Sequence, residues 1–135
     1  MALLGFNHYN IRAPRALMEV LRAFYCDVAG FTVGERPALR SFGYWLYIGE
    51  KDVLHLSETG ADEIRLTDKL TTFDHVAFTC DDQAGMEARL TQYGIQYINR
   101  SVSATGVNQV FFRDPAGNGI EFNFSPTSLI FTKLN

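Results

Sequence analysis

The chain contains three histidines, His8, His55 and His75, and their spacing is regular. His55 follows His8 by 47 residues, and Glu121 follows His75 by 46. The run Phe73-Asp74-His75-Val76-Ala77-Phe78 alternates in character: Val76 and Phe78 share one face, His75 and Ala77 the other. That period of two is the signature of a strand with two unlike faces. In Gly119-Ile120-Glu121-Phe122-Asn123-Phe124 the apolar residues share a face and Glu121 stands opposite them. A lone strand histidine is usually a hydrogen-bonded structural residue; it is the joint pattern of the four residues that points to a ligand set. Three imidazoles and a carboxylate on non-core faces are the parts of a metal site. Such a set suits Zn, Fe, Mn, Ni or Co better than Mg or Ca, which prefer all-oxygen shells. Four protein ligands leave one or two positions open in a five- or six-coordinate ion, where a substrate with two adjacent oxygens could chelate. With one ligand loose, the remainder matches the two-histidine, one-carboxylate triad of non-haem iron oxygenases.

The elements that must position these residues form a repeat. Gly5-Phe6-Asn7-His8-Tyr9-Asn10-Ile11 aligns with Thr72-Phe73-Asp74-His75-Val76-Ala77-Phe78, and Val53-Leu54-His55-Leu56-Ser57 aligns with Gly119-Ile120-Glu121-Phe122-Asn123. The period is about 66–67 residues, long enough for a supersecondary unit and too long for a solenoid repeat. The first unit reads as a strand over 5–11, then a helix opened by Pro14. Leu17, Val20, Leu21, Phe24 and Val28 give that helix its apolar stripe, and Gly30 ends it. Strands follow at 31–36, 42–48 and 53–57, with a turn at 49–52. Residues 58–71 are polar and read as a linker. The order then repeats: a strand at 73–80, a helix capped by Asp81 or Asp82 with Met86, Leu90 and Tyr93 buried and Gly94 at its end, and strands at 95–100, 107–113 and 119–124. Asp114-Pro115-Ala116-Gly117-Asn118-Gly119 is a dense turn signal.

The expected fold is therefore α+β, with two tandem βαβββ modules over about 4–58 and 72–125 in one 135-residue domain. Either module alone is too small for a good core, so the two are expected to pair into a curved-sheet trough. The tail from Pro126 carries Leu129, Ile130, Phe131 and Leu134 and is expected to pack on the domain or on a partner subunit.

Composition narrows the function. The chain is 47% hydrophobic and 20% charged with a net charge of −3, which makes nucleic acid and anionic membranes poor partners. No apolar run approaches the ~20 residues of a membrane helix, and the N-terminus lacks signal-peptide features. Cys26 and Cys80 read as reduced, half-buried thiols. The expectation is a cytoplasmic protein acting on a small molecule.

Three segments carry a family resemblance: Asn7-His8-Tyr9-Asn10-Ile11, Asp74-His75-Val76-Ala77-Phe78, and Phe111 through Phe122 with its Arg113-Asp114-Pro115-Ala116-Gly117-Asn118-Gly119 turn. In order and spacing, across nearly the whole chain, they resemble the vicinal oxygen chelate superfamily of glyoxalases, methylmalonyl-CoA epimerases, fosfomycin- and bleomycin-resistance proteins and extradiol dioxygenases. The resemblance puts His8, His75 and Glu121 on the family's metal positions and His55 on the fourth. Glyoxalase-like members carry Glu at that fourth position and epimerases carry Gln, so this chain departs there. The resemblance implies a divalent metal ion as Lewis acid and lyase or isomerase chemistry through an enediolate-like or oxyanion intermediate. An extradiol-type dioxygenase is the nearest alternative. Against it, all three histidines are already placed on the metal, leaving none for acid–base work, for which only a tyrosine such as Tyr44 or Tyr47 could substitute. A metal-free, antibiotic-binding protein of the bleomycin-resistance kind is an alternative of another class. The resemblance also implies a homodimer, in which His8 and His55 of one chain could meet His75 and Glu121 of the other.

Around the metal, the candidates for substrate binding are Asn10, on the face of His8, Tyr44 and Tyr47 on the aromatic strand with Trp45, and Arg113 before the turn. No residue is singled out as the catalytic acid or base.

Overall fold

The structure is a computed structural model that describes residues 2–126. The chain divides into two compact units, Met1–Thr67 and Asp68–Asn135. The first holds strand β1 (Tyr9–Ala13), helix α1 (Arg15–Asp27), and strands β2 (Thr32–Gly34), β3 (Gly43–Ile48) and β4 (Lys51–Glu58). Its sheet runs β1-β4-β3-β2, with β1 parallel to β4 and the other pairs antiparallel. The second unit repeats that plan with β5 (His75–Cys80), α2 (Gln83–Gln92), β6 (Ile98–Val102), β7 (Val107–Arg113) and β8 (Gly119–Phe124), in the order β5-β8-β7-β6. The fold is α+β, built from two βαβββ modules.

In the first unit, α1 closes one face of the sheet. Its buried stripe is Met18, Leu21, Phe24, Tyr25 and Val28 against Leu46, Leu54 and Leu56. The expected stripe is thus corrected by a small rotation: Leu17 is half-buried and Val20 is 51% exposed. Tyr25 explains the shift, because its ring turns inward to meet Phe31 edge-on. The turn between β3 and β4 is tighter than 49–52. Ile48 already pairs with Lys51, and Gly49 takes the left-handed conformation (φ +60°) that a two-residue hairpin needs.

The first strand begins later than expected, at Tyr9 rather than residue 5, so His8 lies just outside it. The ladder to β4 opens with Tyr9 opposite Leu54. One step earlier, His8 would face Val53, which a bulge removes from regular pairing: Leu46 pairs with Leu54, but Tyr47 pairs with Asp52. A bulge of this kind also re-aims side chains.

In the second unit, Val110, Phe112, Ile120, Phe122 and Phe124 form the core beneath Leu90 of α2. Of the three expected helix residues only Leu90 is fully buried. Met86 is half-buried and Tyr93 is 49% exposed, so the stripe is narrower than the spacing suggests. Asp82 caps α2, its carboxylate accepting from the Gly85 N–H. At the other end Gly94 (φ +70°) donates to Thr91 and Ile95 donates to the Leu90 carbonyl, the paired bonds of a Schellman motif. With Ile95 committed to that cap, β6 starts only at Ile98. Asp114 shapes the last turn by accepting from the Ala116 and Asn118 N–H groups.

Residues 59–67 are irregular but anchored. Glu63 bridges Arg12 of β1 and Arg65, and it holds the Gly60 N–H. Cys26 and Cys80 are free and half-buried, and burial pushes the Cys80 thiol up to about 11. Among the described residues, no helix is long and apolar enough to cross a membrane. The apolar tail residues Leu129, Ile130, Phe131 and Leu134 lie outside the described residues.

Candidate metal centre

In the first unit, the sheet face opposite α1 carries the histidines. Asn10 and Trp45 are the register partners of His55 on either side, so all three side chains emerge on that face. The His55 ring is sandwiched. Trp45 stacks on one side with centroids 4.1 Å apart, and His8 stacks at 3.6 Å. Asp52 takes the edge: its Oδ2 lies 2.7 Å from His55 Nε2. Regular alternation would turn Asp52 toward the core with Leu54, and the bulge brings it to the histidine side instead. A carboxylate only accepts, so His55 Nε2 carries the proton and Nδ1 keeps the lone pair. The same bond holds the Asp52 carboxyl below its usual range. His8 donates from Nδ1 to Asn7 Oδ1 at 2.6 Å, which leaves Nε2 as its donor atom. Loss of hydration under the stacked ring, followed by repulsion from His55, pushes His8 down and favours its neutral, metal-binding form.

In the second unit, His75 and Glu121 share the face away from α2. His75 Nε2 lies 3.2 Å from Glu121 Oε1, and its Nδ1 lies 2.7 Å from Asp74 Oδ2. The other Glu121 oxygen accepts from Asn123 Nδ2 at 2.8 Å and Gln109 Nε2 at 3.4 Å. Glu121 is only 6% exposed although it faces away from the apolar core, because these polar neighbours and His75 enclose it. Phe111, register partner of Glu121, meets the His75 ring edge-on, in the position Trp45 occupies opposite His55. Gly119 is register partner of His75, and a Cβ there would stand 2.3 Å from the Asp74 carbonyl and 3.1 Å from His75 Cβ. Its lack of a side chain lets β5 deliver His75 to this position.

The candidate substrate residues divide. Asn10 is on the histidine face, but both ends of its amide are engaged, donating to the His55 carbonyl and accepting from Ser57 Oγ. Tyr47 points to the Trp45 side and donates to the Glu35 carbonyl at 2.6 Å. Tyr44 lies on the opposite face, where its hydroxyl donates to Glu19 of α1, so the structure does not bring it to the histidines. Arg113 donates to the Gly117 carbonyl and supports the turn. Sequence reasoning missed Asp52, Gln109 and Asn123. The bulge that turns Asp52 leaves no trace in the alternation pattern. Gln109 and Asn123 were discoverable as polar positions on the Glu121 face.

The sequence pattern of the Glyoxalase/Bleomycin resistance protein/Dioxygenase superfamily matches residues 5–122. The chain belongs to this superfamily. It is 33% identical over 126 residues to "Glyoxylase I 4" of Arabidopsis thaliana, spanning 88% of this chain and 70% of that protein. Its fold is similar to a putative glyoxalase family protein from Bacillus anthracis (TM-score 0.70, 23% identity, 93% of this chain and 98% of that one). It is also similar to lactoylglutathione lyase from Agrobacterium tumefaciens (TM-score 0.64, 21% identity, 92% and 96%). Two donors each about 2.1 Å from one ion, at tetrahedral to octahedral angles, stand roughly 3.0–3.4 Å apart, and His75 Nε2 and Glu121 Oε1 meet that condition. With Nδ1 held by Asp74, a neutral His75 presents the Nε2 lone pair beside Glu121 Oε1, two donors that a cation could bridge. His8 fits through Nε2. His55 fits less directly, since Asp52 occupies Nε2 and only Nδ1 is available. Among the described residues, no three His, Cys, Asp or Glu side chains are already gathered around one point. Each unit presents a pair.

Proposed function

We propose that this protein is a divalent-metal-dependent enzyme, acting on a small molecule that chelates the ion through two adjacent oxygens, with lyase or isomerase chemistry. The His75–Glu121 pair carries the reading: a donor-length separation, with Glu121 buried and each member held by a further polar group. His8, His55, His75 and Glu121 form the proposed ligand set, for Zn, Fe, Mn, Ni or Co, and a homodimer is the proposed active form. A bound ion of this kind supplies Lewis acidity to a chelated oxygen. The chain's own residues do the rest. Asn123 and Gln109 fix the orientation of the Glu121 carboxylate. Trp45 and Phe111 give the polar groups apolar walls. Asn10, Tyr47 and Arg113 are proposed as substrate contacts, each after release of its present partner. Tyr44, whose hydroxyl is held by Glu19 on the α1 face, is left out of the proposed contacts. The relative "Glyoxylase I 4" supports the lyase direction.

A metal-free, antibiotic-binding role has one observation in its favour, the Trp45–His55–His8 stack, which offers a flat aromatic ligand a surface. Metal analysis and glyoxalase assays on metal-loaded protein separate the readings. Turnover of a vicinal-oxygen substrate that is lost in Glu121→Gln supports the enzyme. Metal-free protein whose melting point rises with aromatic antibiotics contradicts it. Bound iron directs the assays to catechols and the dioxygenase alternative.

A further inference from the structure

Two adjacent-residue hydrogen bonds recur at equivalent places in the two units. Asn7 Oδ1 holds His8 Nδ1 at 2.6 Å, and Asp74 Oδ2 holds His75 Nδ1 at 2.7 Å. Neighbours inside a regular strand point to opposite faces and cannot touch in this way. Both pairs escape that limit by position. His8 lies just before β1 and His75 is the first residue of β5. The short Asn or Asp side chain then folds back onto the ring that follows it. We infer that Asp74 and Asn7 are positioning residues for the metal site: each occupies Nδ1 of the next histidine, fixes its tautomer, and presents Nε2 as the donor atom. This rests on the metal reading above. Partners of this sort on the remote ring nitrogen orient a ligating histidine and raise its basicity. The two holders differ in charge, a carboxylate on His75 and an amide on His8, so Asp74 exerts the stronger pull. His55 is the exception that sharpens the assignment, because Asp52 holds its Nε2 and leaves Nδ1.

The test compares metal-stripped wild type with Asp74→Ala, Asp74→Asn and Asn7→Ala by competition for zinc with a fluorescent chelator. Asp74 is exposed, so thermal melts of the metal-free proteins should coincide. The inference expects Asp74→Ala to bind zinc about 10- to 100-fold more weakly, and Asp74→Asn, which keeps an acceptor on Nδ1, to recover most of the loss. Asn7→Ala should also weaken binding, by a smaller factor. Long-range ¹H–¹⁵N correlation spectra of the zinc-loaded wild type should show His75 protonated at Nδ1 and metallated at Nε2. Equal affinity of wild type and Asp74→Ala, or zinc on Nδ1 of His75, overturns the positioning role and leaves the metal site intact. Wild type that takes up no zinc overturns both.

Discussion

Glu63 shows how a single side chain can couple the histidine face to solvent conditions. Arg12 first, then Arg65, hold its carboxyl well below the usual carboxylate range. Arg12 also donates to Ser57 Oγ, which donates to Asn10, which donates to the His55 carbonyl, so the ion pair is the outer end of a chain reaching the histidine. A carboxylate whose folded value is depressed stabilises the fold above its ordinary titration range, and that contribution fades as pH falls toward the folded value. Glu63→Gln should therefore lower Tm at neutral pH, and the gap to wild type should narrow steadily below about pH 4.5. A gap independent of pH would show that the charge does no such work. At the same scale Trp45, the sole tryptophan, stacks on His55. Its emission should change when zinc is titrated in, and the change should vanish in His55→Ala. Unaltered emission on saturation would remove His55 from the ligand set. The histidines and Glu121 were legible in the sequence as a spacing. What each nitrogen does was not, because tautomers follow from neighbours such as Asp52 that only the folded backbone brings near.

The elements explain why the legible part was legible. Alternation in Ile120–Phe124 fixed which face of β8 is core, and the observed register agrees: Ile120 and Phe122 are buried against Phe112 and Val110, while Glu121 stands opposite. Helices were harder, since a 3.6-residue period admits neighbouring stripes, and the edge contact of Tyr25 with Phe31 chose between them. Strand starts were hardest, because the bulge in β4 and the Ile95 cap bond of α2 are properties of backbone pairing. Two substitutions test the packing. Leu46→Ala, at a fully buried site under α1, should cost about 2–5 kcal/mol in urea unfolding. A loss well under 1 kcal/mol would mean that α1 does not pack on β3 as described. Gly119→Ala forces a Cβ against the Asp74 carbonyl, and such overpacking typically costs about 1–3 kcal/mol. It should weaken metal binding together with stability, since the displaced strand is the one that carries His75.

At the scale of the whole molecule, exposed apolar side chains are densest in two stretches of the chain. Leu3, Leu4 and Phe6 precede β1, and Ile64, Leu66, Leu70 and Phe73 lie between the two sheets in sequence. Apolar exposure on this scale is a mark of association, which agrees with the proposed homodimer. Light scattering coupled to size exclusion should give twice the 15.2 kDa chain mass. The chain mass itself would contradict the dimer. Superfamily membership was readable in three short segments because a duplicated module repeats its signals. The reaction was not, since the fold hosts several chemistries and function must be argued from the site. The most direct test of the central claim is the metal content of untagged wild-type protein beside His75→Ala, by elemental analysis. Near-stoichiometric divalent metal in the wild type that is lost in the variant is the predicted result. No metal in either, even after incubation with zinc, manganese, cobalt, nickel and ferrous ions, would contradict it and make the histidines structural.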